Sequence, residues 1–187
     1  IPKSNNGDTN GTATEYIYMA IRRPNKPAEE FEPEELFNTV QGESVTTTPA
    51  FNLGFSPDMA WEKAPSTESN YYVGSRLQGP EHLFLNKPDH AVPNTNITWD
   101  HMEGWVEGFN GSSGYNVWGW RRAPGYFDVA AYKGNAQNPR EIPHGLGVVP
   151  EMIWVKARSH DYEWYVNSAG IDKSEDLQLQ DARQAIP

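Results

Sequence analysis

Leu53-Gly54-Phe55-Ser56-Pro57-Asp58-Met59-Ala60-Trp61-Glu62-Lys63-Ala64 returns later in the chain as Leu146-Gly147-Val148-Val149-Pro150-Glu151-Met152-Ile153-Trp154-Val155-Lys156-Ala157, a shift of 93 residues. Leu, Gly, Pro, Met, Trp, Lys and Ala coincide, and Asp58 meets Glu151. The same shift lays Tyr71-Tyr72-Val73 on Trp164-Tyr165-Val166. One residue further, Glu81 to Leu85 meets Glu175 to Leu179, and Ala91-Val92-Pro93 meets Ala185-Ile186-Pro187. Upstream, Tyr16…Arg22-Arg23 meets Tyr115…Arg121-Arg122 at a shift of 99. A drifting offset means loop insertions, which surface connections tolerate. Self-similarity at a fixed period marks a repeated structural unit. The expectation is two tandem antiparallel, β-sandwich-like repeats of about 93 residues, 1–91 and 92–187. Ile1-Pro2 also matches Val92-Pro93, so both ends lie at one point of the repeat and the chain reads as a segment of a longer array.

The repeated segments read as strands. Side chains at i and i+2 share a strand face. Met59, Trp61 and Lys63 therefore share one face, as do Met152, Trp154 and Lys156. The face kept in both copies is expected to be the packed one, and Trp61 and Trp154 to be core. Ala60, Glu62, Ile153 and Val155 point the other way and are expected at solvent or an interface. Gly145 and Gly147 flank Leu146, with Asn52-Leu53-Gly54 as counterpart; Gly supplies a turn's positive φ without steric cost. His144 is expected to stabilise that turn rather than to catalyse.

Further strands are expected at Tyr16–Ile21, Asn70–Val73, Leu83–Leu85, Tyr115–Trp120, Tyr126–Tyr132 and Trp164–Val166, with another candidate at Val45–Thr48. Residues 25–35, rich in Pro and Glu, read as a solvated acidic linker. Sixteen Gly and 15 Pro suit short strands and many turns. No apolar run reaches the ~20 residues of a membrane span. No charged-then-apolar leader opens the sequence. A net charge of −10 repels phosphate backbones, which argues against nucleic acid. With no Cys there is no disulfide, thiol nucleophile or Cys-based zinc site.

Phe127-Asp128-Val129-Ala130-Ala131-Tyr132-Lys133-Gly134-Asn135, followed by Ile142-Pro143-His144-Gly145-Leu146-Gly147-Val148-Val149-Pro150-Glu151-Met152-Ile153-Trp154-Val155-Lys156, resembles a repeat domain of uncharacterised function. That domain occurs in structural and tail-fibre proteins of marine and cyanobacterial bacteriophages. Tyr16 to Pro24 and Leu83 to Asn86 resemble its closing elements. The first copy departs from the pattern: Phe51 stands where His144 is, and no clear counterpart of Phe127–Asn135 precedes it. The resemblance implies a β-rich virion protein and no catalytic mechanism. In the family's phasing, 31–122 is one complete domain, while 1–24 and 125–187 belong to a second, either discontinuous, made by pairing with each other as expected here, or shared with neighbouring chains.

Catalytic signatures are weak. Asp128, Glu151 and Glu163 are strand-borne, but no spacing singles out the carboxylate pair of a glycosidase. No Gly-x-Ser-x-Gly elbow or HExxH cluster exists. Asp8 and Asn10 lack the partners of a calcium loop. Neither metal, cofactor nor enzymatic activity is expected. The crowded aromatics Trp99, Trp105, Phe109, Tyr115, Trp118 and Trp120 lie among Asp100, Glu103, Glu107 and Asn110. They are candidates for a core or subunit interface, which Trp and Tyr favour, or for glycan stacking. The reading is a non-enzymatic virion module (tail fibre, appendage or capsid surface) on the particle exterior. Its expected partners are copies of itself, other virion proteins and a host-surface glycan. The rivals are a secreted carbohydrate-binding module and, behind it, a fragment of a glycan-degrading enzyme.

Overall fold

The computed structural model describes residues 9, 11–21, 31–42, 49–65, 68–105, 114–171 and 177–179. Nearly all regular structure is antiparallel β. A single helical turn, α1 (Pro33–Leu36), leads into the second sheet. It takes up residues 33–35 of the expected linker, of which residues 25–30 lie outside the described residues. Pro33 opens the turn, Glu32 and Glu35 form a capping box, and Leu36 is buried. Pro at the first helical turn and Glu at its third position stabilise such a start.

Sheet I has the order β10 (Phe127–Lys133), β1 (Glu15–Ile21), β11 (Met152–Ala157), β12 (Tyr165–Ser168), β13 (Leu177–Gln178). Sheet II has the order β2 (Phe37–Gln41), β9 (Asn116–Trp120), β4 (Met59–Lys63), β5 (Tyr72–Ser75), β6 (Glu81–Phe84), β7 (Val92–Pro93). A two-stranded ribbon, β3 (Phe51–Asn52) and β8 (Gly104–Trp105), lies apart. The candidate strand at Val45–Thr48 falls outside the described residues.

The two sheets match in register. In sheet II Met59 faces Trp120 and Trp61 faces Trp118; in sheet I Met152 faces Ile21 and Trp154 faces Met19. Met59 also faces Ser75, as Met152 faces Ser168. Val73 faces Leu83, as Val166 faces Leu177. Thus β9 holds in sheet II the place of β1 in sheet I. By the same token β2 holds the place of β10, because Phe37 faces Trp120 as Phe127 faces Ile21. The sequence concealed this last pair. Asn38 stands for Asp128, yet its carboxamide oxygen accepts the Thr39 N–H at 2.8 Å, as the Asp128 carboxylate accepts the Val129 N–H at 2.9 Å.

The sheets face each other across a shared core. Ile17, Met19, Phe127, Val129 and Trp164 come from sheet I and its flank; Met59, Val73, Leu83 and Leu85 come from sheet II. Each buried side chain of this size contributes roughly 1.5–3 kcal/mol of transfer free energy. The Trp164 indole N–H donates to the Phe84 carbonyl at 2.7 Å across the seam.

The outward faces are covered too, which corrects the expectation of a solvent side. Ala60 and Glu62 are wholly buried, and Val155 nearly so. Phe51, Leu53, Ile97, Trp99 and Trp105 pack over Ala60 and Val117. Ile142 and Leu146 pack over Tyr16, Tyr18, Ala20 and Val155. These covers come from loops and the short ribbon, whose residues carry no periodic signal. The turn geometry is as the sequence required: Gly54 and Gly147 both have positive φ, 81° and 68°. Such backbone favours glycine.

Candidate functional site

An open groove of about 440 Å³ lies where the two sheets part. Trp61, Trp118, Trp120 and Trp154 line it with Tyr71, Leu85, Asn86 and Leu179. Strand alternation builds this wall. Trp118 and Trp120 are i and i+2 on β9, Trp61 faces Trp118 across the ladder, and Trp154 comes from the opposed sheet. Trp61 stacks on Trp154 at 5.4 Å with 21° between planes and meets Trp120 at 4.6 Å. Leu85 and Leu179 follow matched strands, and their N–H groups donate to the carbonyls of Tyr71 and Trp164.

Polar groups sit at the rim. The Asn86 side-chain oxygen accepts the Tyr71 N–H at 3.0 Å, and its amide donates to Asn70 at 3.2 Å. The Lys63 ammonium lies 5.0 Å from the Tyr71 ring centroid. The groove is thus a concave, mainly apolar surface with few polar groups, the usual composition of ligand sites.

The six aromatic candidates are divided by the structure. Trp118 and Trp120 are half-buried in the groove wall. Trp99 and Trp105, at 5% and 0% exposure, are core, so the glycan role considered for them is corrected. They fill the layer beneath the ribbon, where Phe51 and Trp105 rings lie 5.0 Å apart. Tyr115 packs half-buried against that layer, and Phe109 lies outside the described residues. Met59 is core, Met152 is half-buried, and Trp61 and Trp154 are both core-packed and groove-lining. His144 accepts the Leu146 N–H at its Nδ1 at 3.3 Å, and the Gly145 N–H donates to Asp128. Those contacts are turn chemistry. Sequence reading missed Tyr71, Leu85, Asn86 and Leu179 as groove residues; only the pairing of Leu85 with Leu179 in the internal alignment hinted at a shared place.

Titratable groups are perturbed away from the groove. Lys156 is fully buried; its ammonium donates to the carbonyls of Pro88 at 2.8 Å and Ala157 at 2.9 Å. Burial lowers its pKa to about 8, against the opposing pull of Asp161, Asp89 and Glu163. Burial likewise lowers His82 and raises Tyr18 to about 12. Among the described residues, no group of three or more His, Asp or Glu is placed to hold a metal ion.

A family profile described as Domain of unknown function (DUF7483) matches residues 32–186. No curated protein matches the chain. No solved structure matches it.

Proposed function

We propose that this chain, which belongs to that family, is a non-enzymatic structural module of a bacteriophage virion that assembles with copies of itself. The register correspondence of the two sheets carries the reading. Strand for strand, residues 37–84 with 116–120 parallel residues 127–178 with 15–21. We read them as two copies of one unit of about 93 residues, packed through equivalent faces, with Trp61 and Trp154 meeting at the centre. A repeated unit that buries its face against its own copy makes a stiff building block. The virion setting rests on the resemblance of Phe127–Lys156 to phage structural repeats.

A second reading, a carbohydrate-binding module, is favoured by the groove. Trp118 and Trp120 present partly exposed indoles in an open concavity, and aromatic faces pack well on the C–H faces of sugars. One sample tests both. Solution mass at increasing concentration, with a glycan array run in parallel, is expected to give multiples of 21.1 kDa. A monomer at every concentration with a strong glycan signal would replace the first reading by the second.

A further inference from the structure

We propose that β1 is an exchangeable strand, and that the cleft between β10 and β11 accepts the β1 of a second copy of this chain. The inference rests on the assembly reading above and supplies its contact. β1 is an interior strand of sheet I, second in the order of five. It pairs with β10 over seven residues and with β11 over six. Tyr16, Ile17, Tyr18, Met19 and Ala20 are buried without a break. Without it, β10 and β11 would each expose an unpaired edge, which is a template for another strand.

Its origin in the chain sets it apart. Sheet II takes the equivalent strand, β9, from residues 116–120, between its own β7 and the start of β10. Sheet I takes β1 from the far side of sheet II, with 105 residues (22–126) between Ile21 and Phe127. The family match sharpens the contrast. It begins at residue 32, so it includes β9 and β10–β13 but not β1. The matched span therefore carries sheet I with the place between β10 and β11 to be filled from outside it. Either the same chain or another copy presents the same side chains in the same register to that place.

The connection from Ile21 to Phe31 spans at most roughly 33–36 Å when extended. Closure within one chain competes with exchange between chains through an effective concentration on the order of millimolar. Exchange is therefore a high-concentration outcome, such as a crowded assembly site supplies. Because the β1 of one copy enters the next, the contact is head-to-tail and can continue as an open row.

The chain has no Cys, so engineered thiols report cleanly. Glu15 and Lys133 are exposed and directly opposed across β1 and β10. Antiparallel partners lie about 4.5–5.5 Å apart at Cα, within disulfide reach. Full-length E15C and K133C, one mass-tagged, are unfolded together, refolded at low and high concentration, and oxidised. The expected result is a mixed disulfide dimer that rises with concentration. It should exceed the yield from E15C with M102C, an exposed position outside the cleft, by about tenfold, in line with the effective concentration of a docked pair. The E15C/K133C double variant should close on itself when dilute, which verifies the register, and give a ladder when concentrated. Closure at every concentration, with mixed dimer no higher than the M102C control, overturns strand exchange. If the light-scattering mass then still exceeds 21.1 kDa, assembly stands through another surface; if it does not, both readings fall.

Discussion

Raising the pH above neutrality should stabilise this protein, and Lys156 is the reason. Its ammonium is buried at the seam, where it donates to the carbonyls of Pro88 and Ala157. A neutral amine retains two N–H groups, enough for both acceptors, so deprotonation removes a buried charge without breaking either bond. The unfolded lysine titrates at 10.5 and the folded one at about 8. Between those values the unfolded chain holds a proton that the native chain has released. Stability therefore rises with pH across that window. At about 1.36 kcal/mol per pKa unit the whole window contributes about 3 kcal/mol, of which about 2 kcal/mol falls between pH 8 and about pH 10. Tyr18 and Tyr132, raised by burial, act in the opposite sense only above their ordinary value of 10.0, where the unfolded phenols ionise first. Stability should thus peak near pH 10 and fall beyond it. Urea unfolding followed by tryptophan emission, at steps from pH 7 upward, measures the curve. Lys156→Met should abolish the rise while retaining the fall. A wild-type curve that is flat or descending from pH 8, or a Lys156→Met curve with the same rise, would refute the reasoning.

Acid should act through His82, which burial holds below 6.5: the unfolded imidazole takes up its proton first, so stability drops as pH falls through that region, and His82→Gln should reduce the drop in the same urea assay. Trp61→Ala should cost about 2–4 kcal/mol, since it removes contacts with both Trp120 and Trp154, as read from the urea midpoint. Trp118→Ala lies in the groove wall outside the shared core; it should cost about 1 kcal/mol or less while weakening any glycan signal on the array. Gly104→Ala should cost more than about 2 kcal/mol, because the added methyl would overlap the backbone carbonyl of Phe51 and part the two strands of the ribbon; thermal unfolding reads it directly.

Two strands that carry the internal alignment were legible to the residue, while those expected at Asn70–Val73, Leu83–Leu85 and Trp164–Val166 lie at Tyr72–Ser75, Glu81–Phe84 and Tyr165–Ser168. The two are Met59–Lys63 and Met152–Ala157, each set off by a Gly-containing turn and a Pro two residues before its Met and repeating Met, Trp and Lys at alternate positions. β2 was not legible as the counterpart of β10 in register. Only its Phe37 repeats Phe127, and the ladder accepts any side chain that fills the same space. Part of the groove could be read: Trp118 and Trp120 were contact candidates through alternation on β9, and Trp61 and Trp154 were expected as core. Trp99 and Trp105 stayed between core and glycan stacking because crowding of aromatics in sequence does not tell a covering layer from an exposed one; the structure places them in the core. Tyr71 and Asn86 meet only through a loop hydrogen bond, and such long-range loop contacts leave no periodic trace.

The place of β1 bears on the matched registers, the two-copy reading and the strand exchange together. Residue-resolved amide hydrogen exchange of the full chain tests it. Protection reports burial and hydrogen bonding of each N–H, and central strands open only with the sheet. The account predicts that amides of Ile17 to Ala20 are protected as strongly as those of Val117 to Trp120 in the matching strand β9. Exchange of the β1 amides at the rate of exposed chain, with β9 still protected, would contradict it.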